Sequence, residues 1–195
     1  MHESVVTAAF ERRVSPGTAL SEDADRILHA CRDMALRFQQ GGKLIVFGNG
    51  GSATDAQHVA VEFVHPVIVG KQALPAVSLT NDVALVTGIA RTDGLDDIFA
   101  AQLRLLAAPD DIAIGISADG VCANVSRGLD TARELGLLTV ALTGESERDT
   151  PAVDHLLVAR SADPLIVKEV HVTIYHLLWE LVHVFIEQPD PAAAR

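Results

Sequence analysis

His58 and Glu62 stand four residues apart, the spacing that puts two side chains on one face of a helix. An imidazole beside a carboxylate suits proton transfer or metal ligation. Directly before them runs Gly48-Asn49-Gly50-Gly51-Ser52. This glycine turn separates the apolar run Leu44 to Phe47 from a helical pattern between Ala53 and about Val64. Strand, glycine loop, helix is a geometry that cradles a phosphate, because glycines let backbone N–H groups approach an anion and the helix N-terminus adds a positive dipole end. Ser52 adds a hydroxyl at the helix start. An anion cradle with a His/Glu pair on its helix suggests a phosphorylated small molecule and acid–base or metal chemistry. On spacing alone, an ordinary helix pair explains His58 and Glu62 equally well.

These residues need elements to carry them. The pattern predicts a short helix over 2–13, broken by Ser15-Pro16-Gly17, and a second helix N-capped by Ser21 and ended by Gly41-Gly42. Strands are expected at 43–47, 76–79, 112–116, 137–142 and 155–158. Between them, helices are expected at 53–64, 95–107 and 122–135, with a turn or two over 82–89 and a long helix from Leu165 to about Glu187. His65-Pro66 stops the helix that carries the His/Glu pair. Strands alternating with helices give a parallel sheet covered on both faces, and near-continuous apolar strands such as LIVF and IAIGI fit that burial. Ligands of such sheets bind beyond the carboxyl ends of the strands. The loops 48–52, 117–120 and 143–146 are therefore expected on one edge.

The chain has 195 residues, 49% of them apolar, which suits one domain with a full core. A formal charge of −11 argues against nucleic acid or an anionic membrane as the main partner. An anionic substrate must then be met by backbone amides, helix ends or a few placed cations. The two cysteines, Cys31 and Cys122, have no metal-type spacing, so a reducing, cytoplasmic setting is expected. The opening MHESVVTAAFERR lacks a basic segment followed by an apolar run, so no leader peptide is expected. No segment has the length of a membrane span.

Gly48-Asn49-Gly50-Gly51-Ser52-Ala53 also fits the dinucleotide pattern G-x-G-x-x-A, and Asp82 lies near the end of the next strand, where that reading wants an acidic residue. Some 40 residues of helix before the first strand, and polar His58 and Glu62 on the next helix, weigh against it. The stretch GNGGSATDAQHVAVEF resembles the signature of the phosphoheptose isomerases, within the sugar isomerase (SIS) family. LPAVSLTND, DDIFAAQL, DIAIGIS, TARELGLLTVALTGES and KEVHVTIYHLLWELVH agree with that family in order and spacing, so the resemblance covers about Ser21 to Glu187. It implies an α/β three-layer sandwich, flavodoxin/Rossmann-like, with a five-stranded parallel sheet flanked by helices and an N-terminal helical segment. The chain is then a single SIS domain over 1–195: helices to about 40, an α/β core over 43–187, and a flexible tail over 188–195. The resemblance further implies a cytoplasmic homotetramer with active sites between subunits, and zinc as the metal.

By resemblance, Glu62 and His176 are the acid/base pair, and His58, Glu62 and His176 are the metal ligands. The implied reaction is aldose–ketose isomerisation of sedoheptulose 7-phosphate to D-glycero-D-manno-heptose 7-phosphate through an enediol. Asn49, Gly50, Gly51, Ser52, Ser117, Asp119 and Lys168 are the candidate substrate-binding residues. The partner is a small sugar phosphate, with no nucleic acid and no membrane.

Four departures from the family pattern bear on this. Lys168 replaces a ligating Gln, and an ammonium there could take the place of the metal, or pair with Glu62 or a substrate oxygen. The family's serine-rich loop S-T-S-G-N-S reads Ser117-Ala118-Asp119-Gly120-Val121-Cys122, which loses hydroxyl donors and gains a carboxylate that repels phosphate unless it holds a sugar hydroxyl or a cation. An Arg four residues after the catalytic Glu is Pro66, with Lys71 or Arg91 as stand-ins. The segment Gly88 to Gly94 is longer than the family's Gly-Asn-Asp turn, so a reshaped loop is expected. His171, Tyr175 and His183 read as parts of a packed helix with polar edges. A different class of function stays open: a non-catalytic SIS module binding a sugar phosphate or a protein, like the bacterial protein that binds the replication initiator DnaA. That branch lacks the Glu and His pair. An isomerase or lyase acting on an unphosphorylated or differently charged sugar is a third reading.

Overall fold

In the computed structural model, residues 2–145 and 152–188 are described. Ser146 and the tail from Pro189 onward lie outside them. Five strands, β1 (Leu44–Gly48), β2 (Ala76–Ser78), β3 (Ile112–Ser117), β4 (Leu138–Gly144) and β5 (His155–Ala159), form one all-parallel sheet in the order β2-β1-β3-β4-β5. Among the described residues, seven α-helices accompany them: α1 (His2–Ala19), α2 (Ala24–Gln39), α3 (Gly51–Val64), α4 (Val83–Thr92), α5 (Ile98–Leu106), α6 (Ala123–Glu134) and α7 (Pro164–Glu187).

The alternation of side chains along a strand sorts the core into two layers. Leu44 and Val46 pack with α2, α3 and α7, while Ile45 and Phe47 pack with α5 and α6. Both faces of β1 are buried, and each such side chain contributes about 1.5–3 kcal/mol by leaving water. With the order β2-β1-β3-β4-β5, β1 and β3 are neighbours whose connections leave in opposite directions, which opens a crevice beyond their carboxyl ends.

Three local features differ from the sequence expectation. Helix α1 continues through Pro16 to Ala19. The ring removes one backbone bond, but Thr18 Oγ1 donates to the Val14 carbonyl at 2.8 Å, and Arg13 grips Glu169 of α7 through two bonds of 2.7 and 2.9 Å. Ser21 does not cap α2. It lies in a 3-10 turn, Leu20–Asp23, and donates to the Thr18 carbonyl at 2.7 Å. Residues 88–92, expected in a loop, complete α4, whose N-cap Asp82 accepts from the Leu85 N–H at 2.9 Å. The cap made a full helix the better solution there.

Candidate active site

The crevice at β1 and β3 holds a cavity of about 860 Å³. Asn49, Gly51 and Ser52 line it from the β1 side, Ala118, Asp119, Val121 and Cys122 from the β3 side, and Lys168 and His171 from α7. Glu145, after β4, also lines it, so the three loops gather on one edge as far as they are described. Glycine is required twice in the first loop. Gly50 has φ +54° at the N-cap of α3, a region L side chains rarely adopt. A Cβ on Gly48 would lie 2.8 Å from both the Ile116 carbonyl and Ser52 Cβ.

Several cavity groups already have partners. Asn49 and Asn124 exchange two side-chain bonds of 2.7 and 3.1 Å across the crevice, so Asn124, unnoticed in the sequence, fixes Asn49. The Ser52 N–H donates to the Asn49 carbonyl at 2.9 Å, within the loop. Asp119 Oδ1 accepts from Ser117 Oγ at 3.0 Å, from the Val121 N–H at 3.1 Å and from Cys122 Sγ at 3.8 Å. Partial burial opposes its charge, but the Val121, Ser117 and Cys122 donors together outweigh that and hold the carboxyl below its usual range. Lys168 spends all three protons: two on the oxygens of Asp55, each at 2.7 Å, and one on the Gly51 carbonyl at 2.9 Å. Asp55, missed in the sequence reading, is buried. His171 is buried as well, and burial, against a bond to the Thr143 backbone, pulls its imidazole pKa down.

The second half of the site lies farther along α3 and α7. These helices run parallel, joined by rungs that climb both together. Lys168 meets Asp55, Tyr175 Oη lies 2.9 Å from His58 Nδ1, and Trp179 Nε1 donates to the Glu62 carbonyl at 2.9 Å. The ladder brings His58, Glu62 and His176 together, each offering one ligand atom, all within 4.8 Å of one another. His58 Nε2 is 3.2 Å from Glu62 Oε1. The His176 ring stands edge-on to His58 at 5.3 Å and to Tyr175 at 5.0 Å. Tyr175 is buried, and burial, followed by the nearby Asp55 and Glu62 charges, raises its phenol pKa. Two imidazoles and a carboxylate at these distances fit a divalent metal ion.

Among the described residues, His58, Glu62 and His176 do not line this cavity. Gly51 and His58 are separated by roughly 10 Å along the α3 axis at 1.5 Å per residue. His176 is exposed, and so are Val61 and Val64 on α3. Pro66 follows the end of α3, and Lys71 is paired with Glu187 at 2.8 Å, so Lys71 does not stand in for the missing arginine. His183, read as a packed helix residue, is buried and bonded to the Trp179 and Gln72 carbonyls. His29 and His155, without obvious partners in the sequence, meet the Asp25 carbonyl and Asp33.

Residues 13–144 match the SIS domain family. The phosphoheptose isomerase of Solidesulfovibrio magneticus is 41% identical over 162 residues, 83% of this chain and 79% of that one. The solved phosphoheptose isomerase of Francisella tularensis superposes with a TM-score of 0.87 at 28% identity, covering 94% of this chain and 99% of that one. The corresponding structure from Neisseria gonorrhoeae gives 0.83 at 29% identity, covering 93% and 98%.

Proposed function

This chain belongs to the SIS-domain family and, within it, to the phosphoheptose isomerases, and from that premise we propose that it interconverts sedoheptulose 7-phosphate and D-glycero-D-manno-heptose 7-phosphate. The observation that carries the proposal is the convergence of His58, Glu62 and His176 from two helices. Moving a carbonyl from C2 to C1 requires one proton to pass between neighbouring carbons and another between their oxygens. Glu62 takes the carbon proton and returns it to the adjacent carbon. His176, on the other side, exchanges the oxygen protons, and the product of the first transfer is an enediol. Without a metal, His58 holds Glu62 in place through its 3.2 Å contact.

His58, Glu62 and His176 would hold zinc, whose preferred ligands are imidazole and carboxylate with one position left open. Bound there, it would supply Lewis-acid polarisation of the substrate carbonyl. The spent protons of Lys168 keep that ammonium out of the ligand group. Asn49, Gly50, Gly51, Ser52 and Ser117 receive the anionic end of the substrate, with Asp119 as an opposing charge. A non-catalytic SIS module of the DnaA-binding kind would lack the Glu and His pair, and this chain retains it.

The chain acts as one SIS domain in a cytoplasmic homotetramer. The exposed His176 on α7 and the exposed Val61 and Val64 on α3, together with the separation of the two half-sites, support a site completed between copies. No helix among the described residues is long and apolar enough to cross a membrane. The deciding experiment incubates zinc-supplemented protein with sedoheptulose 7-phosphate and follows the heptose 7-phosphate by NMR. Absence of conversion removes the proposal.

A further inference from the structure

Tyr175 is the one tyrosine of the chain, and the isomerase chemistry gives it no part. It is 2% exposed, with its hydroxyl 2.9 Å from His58 Nδ1. Its ring meets His58 edge-on at 5.3 Å and His176 edge-on at 5.0 Å. Apolar burial alone would be served by phenylalanine. The hydroxyl therefore needs a reason, and the hydrogen-bond inventory supplies one.

The other ring nitrogen of His58 faces Glu62 Oε1 at 3.2 Å. An ionised carboxylate only accepts, so Nε2 must carry the proton in that contact. A neutral imidazole then has a bare Nδ1, which must accept, and the Tyr175 hydroxyl is its donor. A metal ion changes the requirement. Tyr175 covers Nδ1, so the ligating nitrogen is Nε2, which must be bare. The ring proton then sits on Nδ1 and needs an acceptor. Metal-ligating histidines usually give that proton to a carboxylate or a carbonyl, which can only accept and therefore lock the ring into its ligating tautomer. A backbone N–H at that place would lock the opposite tautomer. A phenol does both, since its oxygen donates one proton and accepts another.

We propose that Tyr175 is a positioning residue that lets His58 switch tautomer, holding Glu62 through Nε2–H when the metal is absent and presenting a bare Nε2 when it is present. The proton count is unchanged: Nε2–H loses its proton to water, Nδ1 gains one, and the Tyr175 O–H turns from donor to acceptor. The inference rests on the metal-holding role of His58, Glu62 and His176 in the proposed function. It explains how one imidazole braces Glu62 before the metal arrives and becomes a ligand once it is bound.

The test reads the ring nitrogens directly. Protein labelled with 15N-histidine is recorded metal-free and zinc-loaded, at about pH 8 where a free imidazole is neutral. Long-range 1H–15N correlations are used, and the His58 signals are assigned by their loss in His58→Gln. The proton is expected on Nε2 without zinc and on Nδ1 with it. A proton already on Nδ1 in the metal-free protein, or one that stays on Nε2 after zinc addition, overturns the proposal. Tyr175→Phe keeps both ring contacts and removes only the hydroxyl. Competition with a chromogenic chelator should show its zinc Kd weakened by about tenfold or more, as for other outer partners of ligating histidines. An unchanged Kd overturns the proposal. The wild-type spectra do not depend on that variant folding. Heptose phosphate turnover is measured separately, so a tautomer shift without turnover sinks only the substrate assignment, and turnover without a shift sinks only the role of Tyr175.

Discussion

Lys168 Nζ sits 2.7 Å from each carboxylate oxygen of Asp55 and ties α7 to the first turns of α3. The Asp55 side chain is 7% exposed and the Lys168 side chain 43%. One partner is thus buried and the other still reaches water. Removing the ammonium strands a buried carboxylate, and removing the carboxylate releases a solvated cation at little cost. The pair also holds the Gly51 carbonyl, hence the start of the glycine loop.

Lys168→Gln is therefore a stability mutation. The loss of a fully buried pair partner is discounted here for the exposure of Lys168. The expected cost is about 1–2 kcal/mol, roughly 2–8 °C in Tm for a chain of this size. Zinc affinity, measured by chelator competition, should stay at the wild-type value, because the ammonium points at Asp55 rather than at the ligand group. A tighter zinc site in Lys168→Gln would show that the lysine opposes the metal after all.

Asp119 occupies donors that an incoming phosphate would use. Its carboxylate accepts from Ser117 Oγ and the Val121 N–H, and it adds a like charge beside the anion. Asp119→Ser should free both donors and remove the repulsion. After solvent screening, a gain on the order of 1–2 kcal/mol, about tenfold in Kd for phosphate esters, is expected by calorimetry. An unchanged Kd would place the anion elsewhere.

The same carboxyl sets a pH window. Its folded-state pKa lies below the usual value, so the loop bonds it accepts contribute stability above the ordinary Asp pKa of about 3.9 and lose it as pH falls through the lowered one. The wild-type to Asp119→Ser ratio of phosphate Kd should therefore stay flat between about pH 7 and 8, where a phosphate ester is largely dianionic, ease near pH 6 as the ester takes up its own proton, and lose the rest only below the ordinary carboxylate range. A ratio that changes between pH 7 and 8 would assign the charge effect to another group.

The two thiols should differ sharply toward an alkylating reagent. Cys31 is buried in the core, and burial pushes its pKa up to about 12, so it holds little of the reactive thiolate at neutral pH. Cys122 lines the cavity and is partly exposed. Native protein should lose one thiol quickly and the second only on unfolding, and a bound sugar phosphate should slow the first. Fast loss of both would mean the α2 face of the core opens, and lack of protection would move the ligand away from Cys122.

Much of the fold was legible because its signals are local. The apolar runs of β1 and β3, the glycine loop and the four-residue spacing of His58 and Glu62 are each written in neighbouring residues. The expectation of one ligand edge followed from the alternation of strands and helices alone. What was missed depends on partners distant in sequence. Nothing near Lys168 announces Asp55, and nothing near Asn49 announces Asn124, because parallel packing of α3 on α7 and of β1 beside β3 creates those contacts. Helix α1 runs through Pro16 and meets α7 through Arg13 and Glu169, a contact that no local propensity encodes. Tyr175 looked like core, and only the position of His58 gave its hydroxyl a role.

Glu62 is the residue on which the proposed chemistry turns, and its surroundings make a clean variant feasible. The Trp179 indole bonds to its backbone carbonyl, which Glu62→Gln leaves intact, and the amide oxygen can still accept from His58. The variant should therefore keep its Tm within a few degrees. Without the carboxylate no group takes the carbon proton, so kcat should fall by about 10²–10⁴, the usual worth of a placed general base, with KM little changed. Glu62 is also one of the three groups offering a metal ligand, so the assay is run across a range of zinc concentrations. Activity restored by excess zinc would make Glu62 a metal-holding group rather than the base. Activity largely retained without added zinc would mean that the proton is carried by another residue.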